Sequence, residues 1–227
     1  MIIYLAEQRG TSQLDGLRSF HTFNFGTYQD PSRKPFGALQ VFNDDTLKGG
    51  GQLTMHVEEN TDILLLPIVG AIAFKNSLDT EESYLSAGEG HIFSAAKGMW
   101  FEMGNPYETD LVNVLQIWIK NDTQPFEPKI HAFDFDLLAH KNQLIPLFTS
   151  DTEGVYIGQF DGRQDGIYTL KNSKNGVFAF VIEGAFEVQN RLLEPRDGLA
   201  LSAVESIEFE ALSNNALILF LEIKITF

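Results

Sequence analysis

An internal repeat constrains the fold of this chain more than any other feature. Ile68-Val69-Gly70-Ala71-Ile72-Ala73-Phe74 matches Ile182-Glu183-Gly184-Ala185-Phe186-Glu187-Val188. Further along, Gly90, Ser94, Phe101 and Glu102 match Gly198, Ser202, Phe209 and Glu210, each pair 108 positions apart. Leu115-Gln116-Ile117 then parallels Leu219-Phe220-Leu221. Both copies read as strand, turn, strand. Two copies of such a unit imply two similar β-barrels.

The rest of the 227-residue chain agrees with an all-β fold. Short apolar runs such as Ile63-Leu64-Leu65-Leu66, Leu111 to Ile119, Val177 to Ile182 and Ala216 to Ile223 are separated by Gly, Pro, Asn and Asp. Nineteen phenylalanines against two tryptophans suit aromatic strands filling a narrow interior. The best helical candidate is short, Phe135-Asp136-Leu137-Leu138-Ala139-His140. The expected organisation is a first barrel over 1–120, a connecting segment with added strands over 121–174, and a second barrel over 175–227. Val155 to Phe160 is the added strand that reads most clearly.

Composition removes several functional classes. The net charge of -15 disfavours a nucleic-acid partner, since phosphate contact needs clustered Lys and Arg. With no cysteine there is no disulfide, no thiolate nucleophile and no Cys-based zinc site. The opening Met1-Ile2-Ile3-Tyr4-Leu5-Ala6-Glu7 lacks the basic region and cleavage site of a signal peptide. The apolar run from Ile63 to Phe74, broken by Pro67 and Gly70, is too short to span a membrane. A cytoplasmic location without membrane attachment is expected. Gly49-Gly50-Gly51 lacks the Lys-Ser/Thr of a phosphate loop, and Ser94 has no nucleophile-elbow context.

Several stretches resemble the pirin-like cupins. Phe20-His21-Thr22-Phe23-Asn24-Phe25 with Tyr28-Gln29-Asp30-Pro31, then Phe36 to Asp45, resemble the family's opening signature. Ser94-Ala95-Ala96-Lys97-Gly98 and Asn105-Pro106 resemble its second cupin motif, Leu115-Gln116-Ile117-Trp118 the close of its first barrel, and Arg196 to Leu201 the matching turn of its second. The resemblance runs the length of the chain in order. It implies a bicupin, two double-stranded β-helix barrels with a short helical connection. It also implies a range of functions, from iron-dependent opening of flavonols such as quercetin to transcriptional regulation. Fold alone does not choose among them.

The resemblance further implies where iron would sit. The family's ligands are two histidines at i, i+2 in the first motif, then a histidine and a glutamate at i, i+2 in the second. Here the first pair reads His56 and Glu58, and the second Phe101 and Met103. Glu102 lies between the last two, but strand parity turns it outward. Ile207, Phe209 and Ala211 alternate with Glu208 and Glu210, and the repeat carries that pattern onto Met99, Phe101 and Met103 as inward residues. Iron chemistry needs three or four imidazole and carboxylate donors with an open position. His56 and Glu58 alone fall short, so no cofactor is expected.

The candidate pocket is therefore His56, Glu58, Phe101 and Met103. The reading preferred from sequence is a pirin-like protein without the family's iron chemistry, binding a small molecule or a protein partner. One alternative is a dioxygenase using iron or another divalent metal at an altered site around His56 and Glu58. Another is a metal-free isomerase or lyase in which those two residues move a proton. His21 is expected to pack and hydrogen-bond, and His91 to be structural. His131 and His140 lack carboxylates at ligand spacing. Asp79, Glu81 and Glu82 read as a solvated hairpin tip.

Overall fold

The computed structural model describes residues 1–151 and 153–225. The chain divides into two compact units, each built from antiparallel strands. One comprises Gly10–Pro35 and Leu39–Asp134; the other comprises Met1–Arg9, Phe36–Ala38 and the chain from Phe135 onward.

The first unit holds a seven-stranded sheet and a four-stranded sheet. In spatial order the larger runs Lys129–Asp134, Glu89–Ala95, Thr61–Val69, Val112–Lys120, Leu39–Leu47, Leu17–His21 and Gly10–Leu14. The smaller runs Gln52–His56, Trp100–Gly104, Ala71–Asn76 and Ser83–Ser86. Their facing sides bury Leu17, Leu47, Val57, Ile63, Leu65, Phe74, Phe93, Phe101, Met103 and Val114 in one core. Alternating apolar residues on strands produce this arrangement, because successive side chains point to opposite faces.

The second unit repeats the plan. A six-stranded sheet runs Ile2–Tyr4, Gly198–Ser202, Asn175–Glu183, Ala216–Lys224, Gly154–Phe160 and Ile145–Thr149. A four-stranded sheet runs Asp165–Thr169, Ser206–Ala211, Phe186–Val188 and Arg191–Leu193. Phe160, Val177, Phe186, Phe209, Ile218 and Phe220 lie in its core.

The repeated residues have physical causes. Gly70 and Gly184 hold matching places in the two copies, each turning the chain between consecutive strands with positive φ, 79° and 72°, a conformation that costs glycine little. Gly90 and Gly198 sit where a neighbouring phenyl ring lies over the backbone. A Cβ would meet the Phe133 ring at 2.4 Å in one case and the Phe178 ring at 2.5 Å in the other.

Two expectations change in detail. The strands expected to be added by 121–174 are divided between the two units. Lys129–Asp134 extends the first unit's sheet through Glu89–Ala95, while Gly154–Phe160 and Asp165–Thr169 build the second unit. The short helix expected at Phe135 to His140 is instead a run of turns. Asp136 Oδ1 accepts from the backbone N–H groups of Leu138 and Ala139, each at 2.9 Å. Such a local bond gives the backbone an alternative to a helix. Among the described residues the sole helical element is the 3-10 turn Ala6–Gln8, and no helix is long and apolar enough to cross a membrane.

Candidate functional site

The candidate residues lie on the Gln52–His56 and Trp100–Gly104 strands, which pair antiparallel. Phe101 stands opposite Met55 and Met103 opposite Leu53; Trp100 stands opposite His56 and Glu102 opposite Thr54. Phe101 and Met103 are fully buried, as parity predicts. The Phe101 ring lies among Phe74 (6.2 Å), Phe93 (6.4 Å) and Trp118 (5.9 Å). Glu102 points outward and accepts from the Thr54 hydroxyl at 3.1 Å.

His56 and Glu58 do not join that interior. Both are exposed, while Val57 between them is buried and Met55 packs on the core. Val57 is tied in place by its N–H to Met99 O and by Gly98 N–H to its own carbonyl, both 2.8 Å. A strand offers alternate residues to one face, so burying Met55 and Val57 turns His56 and Glu58 to solvent. Hence the expected four-residue pocket separates into an outer pair and an inner pair.

This geometry tests the iron that the resemblance implies. The inward positions at this point are Met55, Val57, Phe101 and Met103, none of which is a hard donor. Among the described residues no group of three or more His, Asp or Glu side chains could hold a metal ion. The donor set does not fit an iron centre.

The remaining sequence candidates fall as follows. His21 is buried, with Nδ1 donating to Asn43 Oδ1 at 2.8 Å and Nε2 accepting from the Ser12 hydroxyl at 2.8 Å. His91 lies edge-on to Phe74 at 5.6 Å, and burial pushes its pKa down, against the opposing charge of Glu89. His131 and His140 are exposed. The Ser94 hydroxyl donates to Asp62 at 2.5 Å. Glu82 accepts from the Tyr84 hydroxyl and pairs with Lys75 at the exposed hairpin tip.

The interior also holds Asn43, Asp45 and Gln116, buried polar residues to which the sequence reading gave no role. His21, Asn43, Gln116, Leu65 and His91 form one row across the larger sheet, and Ser19, Asp45 and Val114 form the next. Leu65 and Val114 belong to the core, so both rows face inward. Asp45 is 1% exposed, and neither of its oxygens has a hydrogen-bond partner of ordinary geometry. Burial raises its pKa to about 7; the Ser19 hydroxyl opposes that shift and the Asp44 charge adds to it. Gln116 Nε2, Trp118 Nε1 and His91 Nδ1 are also buried without partners. The signal was present as Asn43-Asp44-Asp45 inside an otherwise apolar strand. Period-two alternation places Asn43 and Asp45 on the same face as Leu47.

The second unit carries a concavity of about 350 Å³ on its smaller sheet, lined by Asp165, Glu187, Gln189, Glu208 and Glu210 among others. Glu210 lies opposite both Asp165 and Glu187, and Arg163 reaches it at 3.2 Å.

Paired barrels of this kind define a bicupin. The Pirin family model matches residues 4–119, and the model of the quercetinase C-terminal cupin domain matches residues 151–223. The chain belongs to the pirin family. It is 27% identical to a quercetin 2,3-dioxygenase of Escherichia coli strain K12, over 96% of this chain and 98% of that protein. It is 26% identical to a pirin-like protein of Caulobacter vibrioides, over 89% and 91%. The crystal structure of YhhW from E. coli superposes with a TM-score of 0.88 at 22% identity, covering 99% of this chain and 98% of that one. A nickel(II) complex of the same bacterial pirin gives 0.87 at 22% identity, covering 99% of each chain. These two structures establish the likeness of fold.

Proposed function

We propose that this pirin family member works by binding a small molecule or a protein partner, without iron-dependent dioxygenase chemistry. The observation that carries this reading is the inward set Met55, Val57, Phe101 and Met103. Soft and apolar side chains there make no ligand set for a redox metal. His56 and Glu58, being exposed, have no enclosed space in which to hold a substrate for proton transfer.

A second reading, a dioxygenase with an altered metal site, is favoured by the name of the 27% identical E. coli relative. One experiment separates the two. Purified protein is analysed for metal, then loaded with iron, nickel or manganese and offered quercetin under oxygen. The binder reading expects substoichiometric metal and no oxygen uptake. One tightly held metal per chain with quercetin turnover would replace it with the dioxygenase reading.

A further inference from the structure

The smaller sheet of the second unit has one face in the core and one face outside. Phe186, Val188, Ile207, Phe209 and Ala211 point into the core. Parity therefore sends Glu187, Glu208 and Glu210 to the outer face. Strand pairing sets their order there. Asp165, Glu210, Glu187 and Leu192 form one row across all four strands, and Ile167 with Glu208 begins the next. Ile167 is 66% exposed and Leu192 69% exposed. The concavity of about 350 Å³ lies over these strands, with Ile167 and the Gln189-Asn190 turn in its wall.

Such a row works against the sheet that carries it. Like charges directly opposite on neighbouring strands destabilise their pairing, and Glu210 has a carboxylate on either side. Among the described residues one cation pairs with this face, Arg163, which reaches Glu210 from an exposed position at 3.2 Å. Arg191, on the edge strand, donates to the Asn190 carbonyl at 3.3 Å. The first unit treats the matching position differently. Its Glu102 stands between Thr54 and Lys75 and accepts from the Thr54 hydroxyl at 3.1 Å. Of two sheets built from one repeat, the first alternates charge with counter-charge and the second sets three carboxylates side by side.

We propose that this outer face binds an extended, basic segment of a protein partner. Charge complementarity sets Lys or Arg side chains over Asp165, Glu210 and Glu187. The exposed Leu192 and Ile167 set an apolar side chain beside them. The spacing agrees. Four strands span about 14 Å from Asp165 to Leu192, and side chains at i, i+2 and i+4 of an extended segment span about 13 Å. A small polyamine would neutralise the carboxylates but leave both apolar side chains in water, so the face fits a peptide better. This inference rests on the binder reading and names the chemistry of its protein partner.

The test uses the full chain and a fluorescein-labelled hexapeptide, Lys-Ser-Lys-Ser-Leu-Ser, followed by fluorescence anisotropy at physiological ionic strength. Saturable binding to one site is expected. Glu187→Gln with Glu210→Gln relieves the repulsion, keeps the fold and should weaken binding at least about tenfold. Glu108→Gln with Glu127→Gln removes the same charge from two exposed positions of the first unit and should change binding less than about twofold. Ile167→Ser with Leu192→Ser should weaken it at least about fivefold. Absence of saturable binding, equal losses in the two glutamate pairs, undiminished binding by the Ile167 and Leu192 variant, or equally tight binding of spermidine would each overturn the proposal. Metal content measured on the same sample tests the binder reading separately, since stoichiometric iron would sink that reading whatever the peptide does.

Discussion

Phe101 faces Met55 across its strand pair, and His56 faces Trp100 on the other side of the same sheet. That relationship decides which substitutions can rebuild a metal centre. Combining Glu58→His with Phe101→His and Met103→Glu leaves two of the four donors, at positions 56 and 58, outside. Combining Met55→His and Val57→His with Phe101→His and Met103→Glu places four donors inward. Nickel affinity, read by calorimetry, is expected to rise at least a hundredfold in the second variant and not in the first. The apo form of the second should lose roughly 1–3 kcal/mol for each unsatisfied polar group.

Asp45 makes stability depend on pH in a defined direction. Its folded pKa of about 7 lies above the ordinary aspartate value of 3.8, so the folded state holds the proton more tightly. Its contribution to stability is therefore most favourable at acidic pH and declines between about pH 4 and pH 7 as the unfolded chain ionises first. Asp45→Asn removes this decline. At pH 8 the variant is expected to be more stable than wild type by roughly 2–4 kcal/mol, with little difference at pH 4. Urea denaturation at both pH values measures it. Equal stabilities at pH 8 would show that Asp45 is compensated in solution.

Glu222 is a buried carboxylate of the opposite kind. It accepts from the Tyr168 hydroxyl, from the backbone N–H groups of Lys171 and Asn172, each at 2.9 Å, and from Asn175 Nδ2 at 2.9 Å. Glu222→Gln retains one acceptor oxygen and sets an amide donor against donors. The expected loss is about 2–4 kcal/mol, while Tyr168→Phe should lose about 1–2 kcal/mol. Both are read from chemical denaturation, and the order of the two losses is the discriminating result. Burial and the Glu222 hydrogen bond raise the Tyr168 pKa, so its phenol should resist ionisation in an alkaline absorbance titration.

Phe101 and Phe209 hold matching places in the repeat, and each lies in an aromatic cluster. Phe209 packs against Phe160 and Phe220, both at 5.2 Å. Phe101→Ala and Phe209→Ala should each cost about 3–5 kcal/mol, the range for emptying a large core site. Thermal unfolding of the two variants gives the comparison. A loss under 1 kcal/mol at either site would mean that its cluster collapses to fill the space.

The repeat made the two-barrel plan legible because its glycines answer to local geometry: positive φ at Gly70 and Gly184, overlying rings at Gly90 and Gly198. Parity likewise turned Phe101 and Met103 inward and Glu102 outward. The orientation of His56 was harder to read. Leu53, Met55 and Val57 alternate with polar residues and fix the inward face, but the motif drew attention to the histidine and away from its neighbours. Asp45 was missed for the converse reason. A polar run inside a strand reads as a loop or an exposed edge until the pairing of Ser19, Asp45 and Val114 places it in the core. Lys129–Asp134 joined the first sheet through long-range pairing that no local pattern announces.

Ile2–Tyr4 pairs with Gly198–Ser202, and the Ala6 N–H donates to Asp197 Oδ1 at 2.7 Å. As the chain leaves the ribosome, its first strand therefore has no partner until nearly all the rest has been made. The second unit cannot close in the order of synthesis, and this edge pairs late. Dividing the gene at codon 120 would leave that strand on the wrong piece. A fragment beginning at residue 121 should expose the bare edge of Gly198–Ser202 and self-associate through it.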